Sequence, residues 1–212
     1  MRPDSAIKIS SGVRERLLSE ARRLFAAAGY DGVTVDAIVN AAGVNKRMVY
    51  HYFGNKEGLY GAVLTRVFEE LQMFEEKFFA PCGNGQKPDE AIAAIVETYF
   101  SFLMSHPEFV RLLLWENLQE GRHLALVGKT VSKSPILGYL DSILLEGAKS
   151  GEFRADLDAR LVLISLIGLC LVYFSNRHTL SLTVGLNLSS PKVLREAGKH
   201  TVSLLLEGIR RS

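Results

Sequence analysis

Apolar residues recur at helical spacing along most of the chain. In the stretch 13–28, Leu17, Ala21, Leu24 and Ala28 are separated by four, three and four positions, and charged residues fill much of the space between them. This spacing places the apolar side chains on one side of an α-helix. No run of alternating apolar residues flanked by hairpin turns, the pattern typical of strands, stands out. The fold is therefore predicted to be all-α.

Capping residues and prolines mark the starts of further helices. Thr34, Asn45 and Asn55 each precede a run of helical periodicity, and their side chains can accept hydrogen bonds from free N–H groups at a helix start. Pro107, Pro135 and Pro191 each follow a polar residue, an arrangement typical of the first helical position. The predicted helices, about nine in all, span approximately residues 13–28, 34–42, 45–53, 56 to beyond 68, 88–105, 107–119, 134–149, 156–178 and 190–210.

The second and third of these helices are short and are joined by a tight turn that contains Gly43. Two such helices match the helix-turn-helix pattern, whose second helix enters the major groove of DNA. The distribution of net charge along the chain also favours DNA binding, although only weakly. Residues 1–60 contain nine Lys and Arg against six Asp and Glu, whereas residues 61–212 contain sixteen against seventeen.

Several classes of protein have no support in the sequence. Cys82 and Cys170 belong to no CxxC or Cys/His cluster, and the histidines form no ligand pattern, so we predict no disulfide, metal site or cofactor. Catalytic and nucleotide-binding motifs are also missing, which argues against an enzyme. The N-terminal MRPDSAIKISSG lacks the apolar core of a secretory signal, and the uncharged run 161–174 is shorter than the roughly 20 residues of a membrane span. A cytoplasmic protein that does not enter the membrane is expected.

The segment GYDGVTVDAIVNAAGVNKRMVYHYFGNKEGLYGAVL, residues 29–64, gives the helix-turn-helix a more specific interpretation. Its initial Thr, AAGV turn, YHYF run and NKEGL sequence closely resemble the N-terminal domain of the TetR family of bacterial regulators, and the resemblance covers about residues 12–64. It implies a flexible tail at 1–11, a helix-turn-helix DNA-binding domain at 12–56, and a helical effector-binding and dimerisation domain at 57–212.

The chemistry of the third helix agrees with DNA recognition. Val44, Val49 and Phe53 are spaced to face the first two helices, which leaves a basic and aromatic surface directed outwards. Arg47 can donate two hydrogen bonds to guanine, and Lys46 can contact a guanine edge or a phosphate.

Other residues of this region have positioning roles by resemblance. Thr34, Tyr50, His51 and Lys56 match positions that contact the phosphate backbone, although Thr34 can equally be only a helix cap. Met48 can contact a thymine methyl or pack in the core. The candidate DNA-binding residues are Thr34, Asn45, Lys46, Arg47, Met48, Tyr50, His51 and Lys56.

For the C-terminal helices the resemblance implies a small-molecule pocket and a dimer interface. The run 161–174 is apolar all round, which predicts burial on both sides, and the last helix has an apolar side near the chain terminus. We expect a homodimer through helices 156–178 and 190–210 and a small, mainly apolar effector, with His123 as a further polar partner. The candidate effector-binding residues, which an ordinary helical core would explain equally well, are Tyr99, Phe102, Leu103, Trp115, Asn117, Leu118, Tyr139, Ile143, Ile167, Cys170 and Phe174.

The leading hypothesis is a ligand-responsive regulator, a repressor, that binds a palindromic double-stranded operator as a dimer. An alternative is a helical ligand-binding or interaction protein whose helix-turn-helix is idle. Lys46, Arg47 and Lys56 argue against it, because an unused surface need not keep cations there. An all-α enzyme is a third possibility that has no catalytic pair to support it.

Overall fold

The computed structural model describes residues 3–79, 86–128 and 134–211, and all of its named elements are helices, so the all-α prediction is confirmed. Cys82 and most of the loop predicted at 82–88 lie outside the described residues. The helices are α1 (Pro3–Ala28), α2 (Val35–Ala42), α3 (Arg47–Phe53), α4 (Lys56–Phe79), α5 (Pro88–Ser105), α6 (Pro107–Leu118), α7 (Leu124–Val127), α8 (Ser134–Ser150), α9 (Ala159–Ser175), α10 (Arg177–Thr183) and α11 (Pro191–Ile209).

The first helix begins earlier than its apolar spacing indicates. α1 starts at Pro3, so residues 3–11, which were predicted to be part of a flexible tail, are helical. A proline fits the first turn of a helix because its φ is already near the helical value and its missing N–H has no intrahelical acceptor there. The apolar spacing shows where packing begins, and a helix can extend beyond the residues that pack.

The helix predicted at 156–178 is two helices in the structure. Asp158 caps α9 by accepting a hydrogen bond from Arg160 N at 2.8 Å, and side-chain hydrogen bonds from Arg160 lower the pKa of Asp158 to about 2. Asn176 leaves the helical conformation, with φ −105° and ψ 12°, and α10 starts at an angle of 75° to α9. Asn side chains bond to nearby groups in competition with the helical backbone, which explains the break at this position.

Two compact units make up the chain, and each has its own core. The first consists of Met1–Glu70 with Arg111–Val131, and the second of Leu71–Val110 with Ser132–Ser212. The first unit thus includes α4 up to Glu70 and part of α6 in addition to the three N-terminal helices. The functional boundary predicted at residue 56 stays a prediction.

Apolar side chains fill both units. In the first, Leu17, Phe25, Ile38, Val49 and Leu59 have no exposed surface. In the second, α5 lies against α8, α9 and α11, and the fully buried residues there include Ile92, Ile95, Phe102, Leu140 and Leu166.

Burial is uneven around α9, which contains the uncharged run 161–174. Leu163, Leu166 and Cys170 are buried, whereas Leu161 and Ile164 are 65% and 67% exposed. Burial of one side is therefore confirmed, and burial of the exposed side by a second copy stays a prediction, since an apolar helix without a polar face does not show which side its own chain covers. No single helix of the described residues has the length and hydropathy of a membrane span; the bent pair α9 and α10 together has the length and composition of a broken span.

Candidate nucleic-acid interface

The turn between α2 and α3 is built from local hydrogen bonds. Thr34 Oγ1 accepts a bond from Ala37 N at 3.1 Å and so caps α2. Gly43 has φ 62° and ψ 41°, a left-handed conformation that suits glycine and ends the helix. Val44 N then donates to Val39 O at 3.0 Å, and Asn45 Oδ1 accepts from Arg47 N at 2.9 Å, which fixes the start of α3.

Packing orients α3 as its spacing predicts. Val49 is fully buried, and Val44 and Phe53 are half-buried. The predicted DNA-binding residues divide by exposure: Thr34, Asn45, Lys46, Arg47, Tyr50 and His51 are exposed, and Met48 and Lys56 are half-buried. α3 thus presents a surface with cationic, amide and aromatic groups. The geometry fits a recognition helix, and the role of each residue stays a prediction.

One acidic residue on this surface was not singled out from the sequence. Asp36 forms an ion pair with Lys46, with a distance of 2.9 Å between Oδ1 and Nζ, and both side chains are largely exposed. The hydrogen bond to Asp36, followed by the charge of the same carboxylate, raises the pKa of Lys46. The Lys46 ammonium therefore has an intramolecular partner on the same surface. In contrast, Arg47 has no ion-pair partner among the residues that the structure describes.

The junction of α3 and α4 is unusually close. A Cβ atom added to Gly58 would overlap the carbonyl oxygen of Phe53, far inside the 3.0 Å that real Cβ atoms keep from other atoms. Asn55 Oδ1 accepts from Gly58 N at 2.7 Å, which caps α4 at the same point. This approach sets the position of α4 relative to the recognition helix, and it needs glycine at residue 58.

Lys56, the first residue of α4, contacts an aromatic cluster. Its Nζ lies 4.2 Å from the centroid of the Tyr30 ring, a cation–π contact. The Tyr30 ring is itself 5.2 Å from the Tyr60 ring and 4.4 Å from the His123 ring. Burial, followed by the charges of Glu57 and Asp31, raises the pKa of Tyr30, so its phenol remains neutral at physiological pH.

Behind this cluster lies a buried carboxylate. Glu116 is 1% exposed, and its Oε1 accepts a hydrogen bond from the Tyr60 hydroxyl at 2.9 Å. His123 Nδ1 lies 3.1 Å from the same oxygen. His123 was considered from the sequence as a polar partner for the effector; it lies in the first unit beside Glu116, and that role stays a prediction. Glu116 and Tyr60 carry no local sequence signal for this pairing, since they are 56 positions apart.

The predicted effector residues do not all belong to one unit. Trp115, Asn117 and Leu118 lie in the first unit and the other eight in the second. Leu118 is 72% exposed, and Asn117 Nδ2 donates to Leu113 O at 2.8 Å within its own helix. The remaining eight are buried or half-buried, namely Tyr99, Phe102, Leu103, Tyr139, Ile143, Ile167, Cys170 and Phe174.

Tyr99 shows how these side chains are held. Its hydroxyl lies 2.5 Å from Glu75 Oε1, and burial, followed by the charge of Glu75, raises the pKa of the phenol. The eight residues thus form a packed interior, and their role as effector contacts stays a prediction.

A different part of the second unit contains open space. A groove of about 290 Å³ lies between α5 and α11, and its lining includes Phe100, Met104, Leu194 and Gly198. Charged residues also border it, and these are Glu97, Arg195 and Lys199. An apolar groove with a few polar groups is the usual composition of a small-molecule site. Sequence spacing missed this groove because its lining comes from two distant helices.

A second, more polar cavity lies where α9 meets α11. Its volume is about 330 Å³, and Leu161, Ser165, Leu204 and Gly208 are among its lining residues. Leu161 and Leu204 are 65% and 50% exposed. Among the residues that the structure describes, no group of three His, Cys, Asp or Glu side chains can hold a metal ion.

Comparison with known proteins gives matches over almost the whole chain. Residues 17–63 match the model described as bacterial regulatory proteins, tetR family. Residues 88–205 match the model of a tetracyclin repressor-like C-terminal domain. The HTH-type transcriptional repressor NicS of Pseudomonas putida is 31% identical over 205 residues, which cover 93% of this chain and 92% of that protein. The fatty acid metabolism regulator protein of Bacillus subtilis is 28% identical over 153 residues, 72% of this chain and 77% of the relative.

Solved structures share the fold. The fatty acid degradation regulator FadR of Bacillus halodurans has a TM-score of 0.71 at 22% identity, with 94% of this chain and 97% of that chain covered. FadR of Bacillus subtilis, solved in complex with stearoyl-CoA, has a TM-score of 0.66 at 23% identity, with 92% and 98% covered. At these identities the likeness extends to the fold alone.

Proposed function

The chain belongs to the TetR family and is a helix-turn-helix transcriptional regulator, and from this premise we propose that it is a ligand-responsive repressor that binds a palindromic operator as a homodimer. The observation that carries the proposal is the exposed face of α3, with Lys46, Arg47, Tyr50 and His51 around the buried Val49. The full-length match to a repressor favours this function over an idle helix-turn-helix or an enzyme.

Residues of the DNA-binding surface would divide into two roles. Arg47 donates to guanine O6 and N7, and Lys46 leaves Asp36 to contact a base edge or a phosphate. Thr34, Tyr50, His51 and Lys56 contact phosphates, and Met48 packs or touches a thymine methyl. The Asn45 side chain accepts a hydrogen bond from the backbone N–H of Arg47, so the contribution of Asn45 is to orient the start of α3.

Selection of bound fragments from random or genomic DNA tests the operator. The two α3 helices of a dimer fit successive major grooves, so selected sequences should contain two inverted half-sites whose centres are about 34–36 Å apart, or a multiple of that distance. Absence of any enriched sequence, with binding that depends only on salt, would contradict sequence-specific recognition.

Dimerisation would bury the exposed side of α9 against the same side of a second copy. Leu161, Ile164 and Val172 follow one another at helical spacing and are all exposed, and Leu204 of α11 is 50% exposed. An exposed apolar stripe of this kind is typical of a protein interface. Light scattering after size exclusion should give a dimer for the wild type and a monomer for Ile164→Glu, with Leu182→Glu on the exposed α10 as a control that stays dimeric. A wild-type monomer at micromolar concentration would refute the dimer.

The effector would bind in the second unit and be mainly apolar. The groove between α5 and α11 supports this, because its floor is formed by Phe100, Met104 and Leu194. The stearoyl-CoA in a related fold suggests fatty acyl compounds and other apolar carboxylates as first probes. A ligand can release DNA only by favouring a dimer whose two α3 helices no longer match the half-site spacing.

Thermal shift with a panel of such probes, followed by DNA titration, tests the effector. Ser101→Trp should fill the groove and abolish the response, while Asp141→Asn on an exposed part of α8 should leave it unchanged. If Ser101→Trp still responds and Tyr99→Phe does not, the effector occupies the buried set instead of the groove. A ligand that shifts the melting temperature but leaves DNA affinity unchanged would remove the switching function.

A further inference from the structure

The buried carboxylate of Glu116 has its acceptor positions occupied by four donors from one compact unit. Oε1 receives the Tyr60 hydroxyl at 2.9 Å and His123 Nδ1 at 3.1 Å. Oε2 receives the backbone N–H groups of His123 at 3.1 Å and Leu124 at 3.0 Å. An ionised carboxylate in an apolar interior is stable only when it is hydrogen-bonded in this way. The arrangement joins α4, α6 and the turn before α7 through a single side chain.

The direction of these bonds defines the state of each partner. A carboxylate oxygen accepts, so the hydrogen bond between Nδ1 and Oε1 is made by the His123 tautomer that carries its hydrogen on Nδ1. Burial, followed by the hydrogen bond to Glu116, raises the pKa of Tyr60, which keeps its hydroxyl a donor. The other ring nitrogen of His123, Nε2, is buried without a partner among the described residues, so the imidazole is held through Nδ1 and its two ring contacts.

Lys56 lies on the same face of α4 as Tyr60 and contacts the same aromatic ring. Lys56 and Tyr60 are four positions apart on α4 and therefore lie on the same side of it. Both contact the Tyr30 ring, Lys56 through its Nζ at 4.2 Å and Tyr60 through its ring at 5.2 Å. The Tyr30 ring also contacts the His123 ring, at a centroid distance of 4.4 Å. The position of the Lys56 ammonium thus depends on rings that Glu116 holds.

We propose that Glu116, Tyr60 and His123 are positioning residues for the phosphate contact of Lys56, and that displacement of the 116–124 turn weakens DNA binding by releasing this contact. The inference rests on the proposed DNA-binding function. Three of the four bonds join Glu116 to His123 and Leu124, so movement of this turn away from α6 would break these three.

Salt titration of operator binding separates this role from simple stabilisation. Loss of one phosphate contact reduces the slope of log K against log salt by about 0.9. Lys56→Ala should show this reduction, and Tyr60→Phe and Glu116→Gln should show a reduction in the same direction. The double variant Lys56→Ala/Tyr60→Phe should have the slope of Lys56→Ala alone, because both changes remove the same contact. Val67→Ala, a buried change elsewhere on α4, should keep the wild-type slope.

A conservative variant provides the second test. His123→Asn retains an amide donor close to the position of Nδ1 and should recover much of the slope that His123→Phe loses. If Glu116→Gln fails to fold, Tyr60→Phe remains, since it removes one hydroxyl and keeps the ring. Wild-type slopes in folded Tyr60→Phe and His123→Phe would overturn the inference, while a normal Lys56→Ala effect in the same series would leave the proposed function intact. A wild-type protein that binds no DNA would overturn both.

Discussion

The close contact between α3 and α4 gives a prediction whose size follows from the structure. Gly58→Ala introduces a Cβ that overlaps the Phe53 carbonyl oxygen, and backbone on both sides must move because neither atom belongs to a flexible side chain. Overpacking of this kind costs about 1–3 kcal/mol, and the better helix propensity of alanine offsets about 1 kcal/mol. We expect a net loss in the free energy of unfolding of up to about 2 kcal/mol.

Gly61 offers a matched control on the same helix. A Cβ at residue 61 would lie 3.9 Å from Val127 Cγ1, an ordinary van der Waals distance. Gly61→Ala should therefore raise the free energy of unfolding by up to about 1 kcal/mol through helix propensity alone. The two variants make the same chemical change three positions apart. Only the Cβ at residue 58 overlaps another atom, so the two changes should alter the free energy of unfolding in opposite directions.

Two assays measure the consequence. Thermal unfolding should give a lower midpoint for Gly58→Ala and a higher one for Gly61→Ala, by about 2–4 °C per kcal/mol. Fluorescence anisotropy with operator DNA should show weaker binding by Gly58→Ala at temperatures where it is fully folded, because α3 is displaced relative to the start of α4. Equal stability and equal DNA affinity of the two variants would show that the backbone accommodates a Cβ at residue 58 without displacement.

Two further predictions concern single side chains. Asp36→Ala should tighten operator binding and steepen the slope of log K against log salt by up to about 0.9, because Lys46 loses its ion-pair partner and the surface around α3 loses a negative charge. The same change in charge at exposed Asp141 should have no effect. An unchanged slope in Asp36→Ala would show that Lys46 does not contact phosphate. Burial raises the pKa of the Cys170 thiol to about 12. In a Cys82→Ser background, the folded protein should therefore react with thiol reagents at pH 8 only as fast as the structure around Cys170 unfolds locally. Immediate stoichiometric labelling would contradict the buried position of Cys170.

Local features of this structure were accessible from the sequence. Thr34 and Asn55 cap their helices as residue type predicts, and the spacing of Val44, Val49 and Phe53 places Lys46 and Arg47 on the outside. These features depend on residues a few positions apart, for which helical geometry alone determines the arrangement.

Long-range features were not accessible in the same way. Lys46 and Asp36 pair across ten positions, and Tyr60 and Glu116 across 56, and neither acidic residue differs in local context from a solvated one. For α9 the reason is different. Its sequence has no polar face, so Leu161 and Ile164 carry no mark that distinguishes a side packed in its own chain from a side left for a partner.

In the proposed mode of DNA binding, α3 reads base sequence through Arg47 while Lys56 contacts only the backbone. The most direct test measures the affinity of wild type, Arg47→Ala and Lys56→Ala for operators in which each half-site base pair is replaced in turn. Arg47→Ala should lose about 1–3 kcal/mol of discrimination at one base pair per half-site, and Lys56→Ala should weaken binding to all sequences equally. The same base preferences in Arg47→Ala and wild type would contradict base readout by Arg47.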